Sequence, residues 1–154
     1  MIKYTTNPPM VRILPMSNKY EFPNWSTDKV QYEFFFDVLY NRVINGKKHG
    51  YLYKSSGMKA PSNSIVLFQY NKHIIASASL TKIEKFNFPK YGECSGAFYF
   101  EPSSITIFDP ITSDEISSIW SDFSGFSQVK HKLSPEKYFE FEKLVNTKNP
   151  RHNE

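Results

Sequence analysis

Cations, aromatic rings, hydroxyls and glycines interleave through Lys47-Lys48-His49-Gly50-Tyr51-Leu52-Tyr53-Lys54-Ser55-Ser56-Gly57-Met58-Lys59, and that mixture suits the binding of a polyanion. Cations neutralise phosphates, small hydroxyls and backbone amides bond phosphate oxygens, and aromatic faces stack on bases. Lys47, Lys48, Lys54, Ser55, Ser56 and Lys59 are therefore candidate backbone contacts, and Tyr51 and Tyr53 candidate base contacts. The tyrosines fit a second role equally well, as strand residues alternating into a core. Trp25 stands just before a helical pattern, where it either faces a ligand or staples itself onto the helix. A second small basic cluster, Lys130-His131-Lys132, either extends the same face through Lys130 and Lys132 or pairs with Glu136 and Glu140.

Catalytic signatures are missing from the sequence. His49, His73, His131 and His152 are too far apart to form a local metal motif, and Cys94 has no cysteine partner. There is no glycine-rich phosphate loop, no Gly-x-Ser-x-Gly elbow, and no Glu followed two positions later by Lys, as nuclease sites of the Asp…Glu-x-Lys type need. Asp109, Asp114 and Glu115 cluster at a helix start, where capping and the helix dipole account for them. Cys94 reads as an inert thiol. A non-enzymatic chain without metal or cofactor is the expectation.

The charge distribution agrees with a binding role. Residues 42–90 hold nine basic residues against one acid, a segment charge of +8, inside a chain whose net charge is only +4. Residues 91–154 carry −4 and residues 1–41 balance. Such segregation points one face at a polyanion, of which nucleic acid is the commonest. With 14 Phe, 10 Tyr and 2 Trp in 154 residues the chain can fill one core, and disorder is excluded away from the ends. A single domain over residues 1–146 is expected, with residues 147–154 a polar tail or the start of a linker. No apolar run is long enough to span a membrane, so no membrane partner is expected, and the lone cysteine fits the reducing cytoplasm.

The elements that must position these residues follow from periodicity. Residues 11–16 read as a strand. Val30, Phe34, Val38 and Leu39 recur at helical spacing, so a helix is expected from about Asp28 to Ile44, stopped by Asn45-Gly46. Residues 64–70 and 73–83 are β-branched and aromatic runs separated by the two-residue turn Asn71-Lys72, a hairpin. Residues 97–101 and 104–108 read as a second strand pair turning at Pro102-Ser103. Thr112 to Glu115 has capping-box spacing ahead of an apolar helix face including Trp120. Residues 126–133 read as a short strand, Ser134-Pro135 opens a last helix, and the polar end should fray. The order predicts an α+β fold: a small curved mixed β-sheet or pseudo-barrel with about three peripheral helices.

At this point the stretch APSNSIVLFQYNKHIIASASLTKIEKF resembles the central hairpin of the PUA-like superfamily, which includes EVE, ASCH and YTH domains. Ile65-Val66-Leu67-Phe68-Gln69-Tyr70 and Ile74-Ile75-Ala76-Ser77-Ala78-Ser79-Leu80 take the places of its two strands. Ser62-Asn63-Ser64 stands where many members have Gly-Asp. The resemblance implies a nucleic-acid-binding module, DNA ahead of RNA, recognising a modified base flipped into an aromatic pocket. It further implies service as the specificity part of a modification-dependent restriction system, with a nuclease or helicase domain as partner. RNA binding of ASCH or YTH type is the first alternative, and a protein-interaction domain or small hydrolase the second.

Overall fold

Asn71 and Lys72 both take left-handed backbone, with φ of 49° and 61°, a two-residue turn whose twist matches the strands it joins. It sets the central hairpin of an open mixed sheet. The computed structural model describes residues 7–54 and 57–153. Its strands are β1 (Val11–Pro15), β2 (Val43–Ile44), β3 (Lys47–Lys48), β4 (Gly50–Tyr53), β5 (Ile65–Tyr70), β6 (His73–Lys90), β7 (Cys94–Phe100), β8 (Thr106–Ile111), β9 (Lys132–Leu133) and β10 (Arg151–His152). The helices are α1 (Thr27–Lys29), which runs into a π-helix over Val30–Leu39, then α2 (Ser113–Ile119) and α3 (Tyr138–Asn146).

β6, at 18 residues, is the spine. Its first half pairs antiparallel with β5 and β8, and its second half with β7, which in turn pairs with β4. β1 lies parallel to β5, with β9 outside it and β10 outside β8. All six residues of β5 are buried and alternate between two cores: Val66, Phe68 and Tyr70 face the π-helix, while Ile65 and Leu67 face α2 and α3. That is the period of two expected of a central strand covered on both faces. Trp120 lies in the second core, with its indole N–H donated to Ser134 O at 2.8 Å, and the Thr112–Glu115 capping box is formed.

Four elements differ from the sequence reading. Residues 97–101 and 104–108 were expected to pair with each other, yet β7 and β8 both pair with β6, at different stretches of it. The helix expected to reach Ile44 ends at Leu39, and Asn45-Gly46 turns the β2–β3 hairpin instead, with φ of 52° and 77°. Its body winds with i→i+5 bonds, as in Tyr40 N–H to Phe35 O at 3.2 Å. Wider winding places Phe35 and Leu39 on the buried face and leaves Val38 exposed. Only Lys132–Leu133 of residues 126–133 is strand. The polar end does not fray: β10 pairs with β8, Arg151 meets Asp109 at 3.3 Å and Lys148 meets Glu115 at 2.7 Å.

The buried Gln31 locks the π-helix onto the sheet. Its amide donates to Ile75 O at 2.9 Å and to Phe108 O at 2.7 Å, where the β6–β8 register shifts between Ile74 and Ala76. These carbonyls lie where the ladder is broken, and a buried carbonyl left unpaired is costly.

Candidate nucleic-acid interface

Tyr51 and Tyr53 lie two apart on β4, so both project to the face shared with the π-helix, and Trp25 joins them from the loop that precedes α1. With Lys54 from the end of β4 and Lys130 from the segment before β9, they line one cleft of about 670 Å³. That volume suits a ligand of nucleoside size. Five of the eleven residues singled out in the sequence therefore converge.

Each aromatic is held differently. Trp25 is half-buried, tilted against Phe22 at 5.4 Å between ring centres, with the Lys29 ammonium 4.5 Å over its face. Its carbonyl accepts the Tyr70 hydroxyl at 2.6 Å, which ties the loop to the central hairpin. Tyr53 stacks on Phe98 at 4.6 Å and 21°. A Cβ on Gly96 would stand 2.2 Å from the Tyr53 hydroxyl and 2.3 Å from the Glu84 carbonyl, so only glycine lets this ring lie down. Tyr51 is 4% exposed, edge-on to Phe34 at 5.7 Å, and forms the floor of the cleft rather than an open stacking face.

Two residues that the sequence reading missed give the cleft its polarity. The Tyr51 hydroxyl donates to Glu21 Oε2 at 2.6 Å, and the Ser17 backbone N–H donates to Glu21 Oε1 at 3.0 Å. Burial, then the Glu21 charge, push the Tyr51 phenol well above its usual range, so it remains a donor at neutral pH. Arg42 lines the same cleft, its guanidinium 5.9 Å from the Phe34 ring centre, and burial lowers its pKa. No local motif marks either residue. Glu21 lies in a turn and Arg42 between the π-helix and β2, and only the fold unites them.

The remaining cations divide into two groups. Arg12 of β1 donates to Lys59 O at 2.9 Å and to Lys130 O at 2.8 Å, drawing together two segments far apart in sequence. Lys132 stands opposite Arg12 on β9, so Arg12, Lys59, Lys130 and Lys132 form one basic edge beside the cleft. Neither Lys130 nor Lys132 pairs with Glu136 or Glu140: Glu136 accepts from the Ser134 hydroxyl and Glu140 meets Lys143 at 3.9 Å. Lys47 lies elsewhere, 3.8 Å from Glu84 and over the Tyr99 ring, and its neighbour Lys48 is exposed on the same hairpin. Ser55 and Ser56 fall outside the described residues. Among the described residues no group of three or more His, Cys, Asp or Glu is placed to hold a metal ion, and no helix is long and apolar enough to cross a membrane.

No protein-family model matches the chain, and no curated protein matches its sequence. Its structure does have likenesses. An ASCH protein from Zymomonas mobilis superposes with a TM-score of 0.51 at 16% identity, covering 94% of this chain and 98% of that one. Two single-substitution variants of the Zymomonas mobilis protein give TM-scores of 0.54 and 0.55 at 15% and 13% identity, over 88% and 91% of this chain and 98% and 99% of theirs. The chain shares the fold of these ASCH structures. The ASCH fold is one of the PUA-like folds, and with the open mixed sheet and helices it bears out the α+β, PUA-like expectation from the Ile65 to Leu80 hairpin.

Proposed function

We propose that this ASCH-fold chain is a nucleic-acid-binding module that takes one unpaired or flipped base into the cleft between Trp25 and Tyr53. The observation that carries this reading is the convergence of Trp25, Tyr51, Tyr53, Lys54 and Lys130 on a single cleft of about 670 Å³. Trp25 and Tyr53 supply the stacking walls, Tyr51 the floor, and Lys54, Lys130, Lys59 and Lys132 the phosphate contacts. A base leaves its stack only when unstacking is repaid inside the pocket, which favours single strands or a damaged or modified base in a duplex. DNA with a modified base, read on behalf of a restriction nuclease, remains the leading form of the proposal. Single-stranded RNA is the second reading, supported by the likeness to ASCH structures.

Binding of the purified protein to matched modified and unmodified DNA and RNA oligonucleotides tests this directly. One class should bind with an affinity that falls as salt rises. Absence of binding to every oligonucleotide overturns the proposal and favours a protein partner for the basic face.

A further inference from the structure

Glu21 and Arg42 carry opposite charges into one cleft, yet no ion pair joins them. Each is fixed from behind. Glu21 has one bond to each carboxylate oxygen, from Ser17 N–H at 3.0 Å and Tyr51 O–H at 2.6 Å. A carboxylate oxygen has two acceptor positions, so one on each remains for a ligand. Arg42 is anchored by its backbone, N–H to Leu39 O at 3.2 Å and C=O from His49 N–H at 2.6 Å. Among the described residues its guanidinium has no hydrogen-bond acceptor, only the Phe34 face. The cleft thus holds a paired acceptor and a fork of donors that do not pair with each other, in a lining that also includes Trp25, Phe34, Tyr51 and Tyr53.

We infer that this pair reads the Watson–Crick edge of guanine, Glu21 accepting N1–H and the 2-amino N–H while Arg42 donates to O6. The inference rests on the proposed function and names its base. Guanine is the one common base with two adjacent N–H donors on that edge, matching two carboxylate oxygens, and a carbonyl beside them for a guanidinium. Uracil and thymine set a carbonyl against one carboxylate oxygen. Adenine and cytosine set a ring-nitrogen lone pair beside their single amino group. Each mismatch leaves a desolvated acceptor facing an acceptor, which costs more than a missing bond.

The test uses short single strands of uniform thymine, or of uracil for RNA, carrying one central guanine, inosine or adenine, titrated by fluorescence anisotropy. The guanine strand should bind more tightly than the adenine strand by on the order of tenfold, with inosine between them because it keeps N1–H and O6 but lacks the 2-amino group. Glu21→Gln should reduce the guanine preference to about twofold or less, in part by strengthening the adenine strand, because the glutamine amide can donate to the ring nitrogen that the carboxylate opposes. Arg42→Gln should weaken guanine and inosine strands alike. Equal binding of guanine and adenine by the unaltered protein, or a guanine preference that survives Glu21→Gln, overturns the inference and leaves the binding function standing. No binding to any of these strands overturns the inference, and the binding function falls with it only when the modified DNA and RNA oligonucleotides fail to bind as well.

Discussion

Two basic regions draw on neighbouring residues around β2 to β4, the second joined by Lys130 from far along the chain, and they end in opposite conditions. At the β2–β3 hairpin, Lys47 is answered by Glu84, which also accepts from the Tyr99 hydroxyl at 2.8 Å and from the Asn45 amide at 3.0 Å. At the cleft, Lys54, Lys130 and Arg42 have no carboxylate within ion-pair distance among the described residues. The first region is a closed network that holds a hairpin in place. The second is left open to an external anion. Clustering of lysines in sequence therefore marks a binding face only after the internal partners have been subtracted.

The glycine that stands between the two regions gives the largest expected effect. In Gly96→Ala the new Cβ meets the Tyr53 ring on one side and the Glu84 backbone on the other. Overpacking of that kind should cost about 3 kcal/mol, read as a lowered denaturation midpoint, and should impair cleft and hairpin together. An unchanged midpoint would separate the regions and contradict their shared support. Trp25→Ala comes next. Loss of a stacking wall should remove about 1–3 kcal/mol of oligonucleotide binding with little change in stability, since Trp25 is only partly buried. Unaltered binding would move the base away from this wall.

Arg12→Met should lower stability by about 1 kcal/mol through its two lost backbone bonds and weaken binding further by releasing the Lys59 and Lys130 segments. Circular dichroism melts and anisotropy on the same sample separate the two effects. The smallest effect is acidic. Hydrogen bonding from Tyr99 holds the Glu84 pKa below its ordinary 4.5. Its contribution to stability is present above that ordinary value and is lost as pH falls through the lower folded value. Glu84→Gln should therefore flatten the acid limb of the stability profile, with no change in oligonucleotide binding at neutral pH.

What was legible in the sequence was local. Asn71-Lys72 has one strong solution as a two-residue turn, and Thr112 and Glu115 satisfy each other within one helical turn. The apolar hairpin around that turn carried enough pattern to indicate the fold. The misreadings are of long-range choices. Nothing near residues 97–108 says that two adjacent strands will both pair with a third, because that depends on β6 continuing to Lys90. The π-winding of Val30–Leu39 follows from packing three successive phenylalanines and Gln31 against the sheet, whereas spacing alone suits an α-helix. In the cleft, the residue types expected to bind were visible, and Glu21, Arg42 and Arg12 were not, since their partners are brought by the fold from distant segments.

The central claim is that the open cations bind phosphate and the closed ones do not. It is tested most directly by the salt dependence of binding to one single-stranded oligonucleotide, compared among the unaltered protein, Lys54→Ala, Lys130→Ala and Lys47→Ala. A plot of log affinity against log salt should lose about 0.7 of slope for each phosphate contact removed from a single strand. Lys54→Ala and Lys130→Ala should each show that loss, and Lys47→Ala should leave the slope unchanged. A slope reduced by Lys47→Ala and untouched by Lys54→Ala and Lys130→Ala would contradict the account and place the nucleic acid on the hairpin.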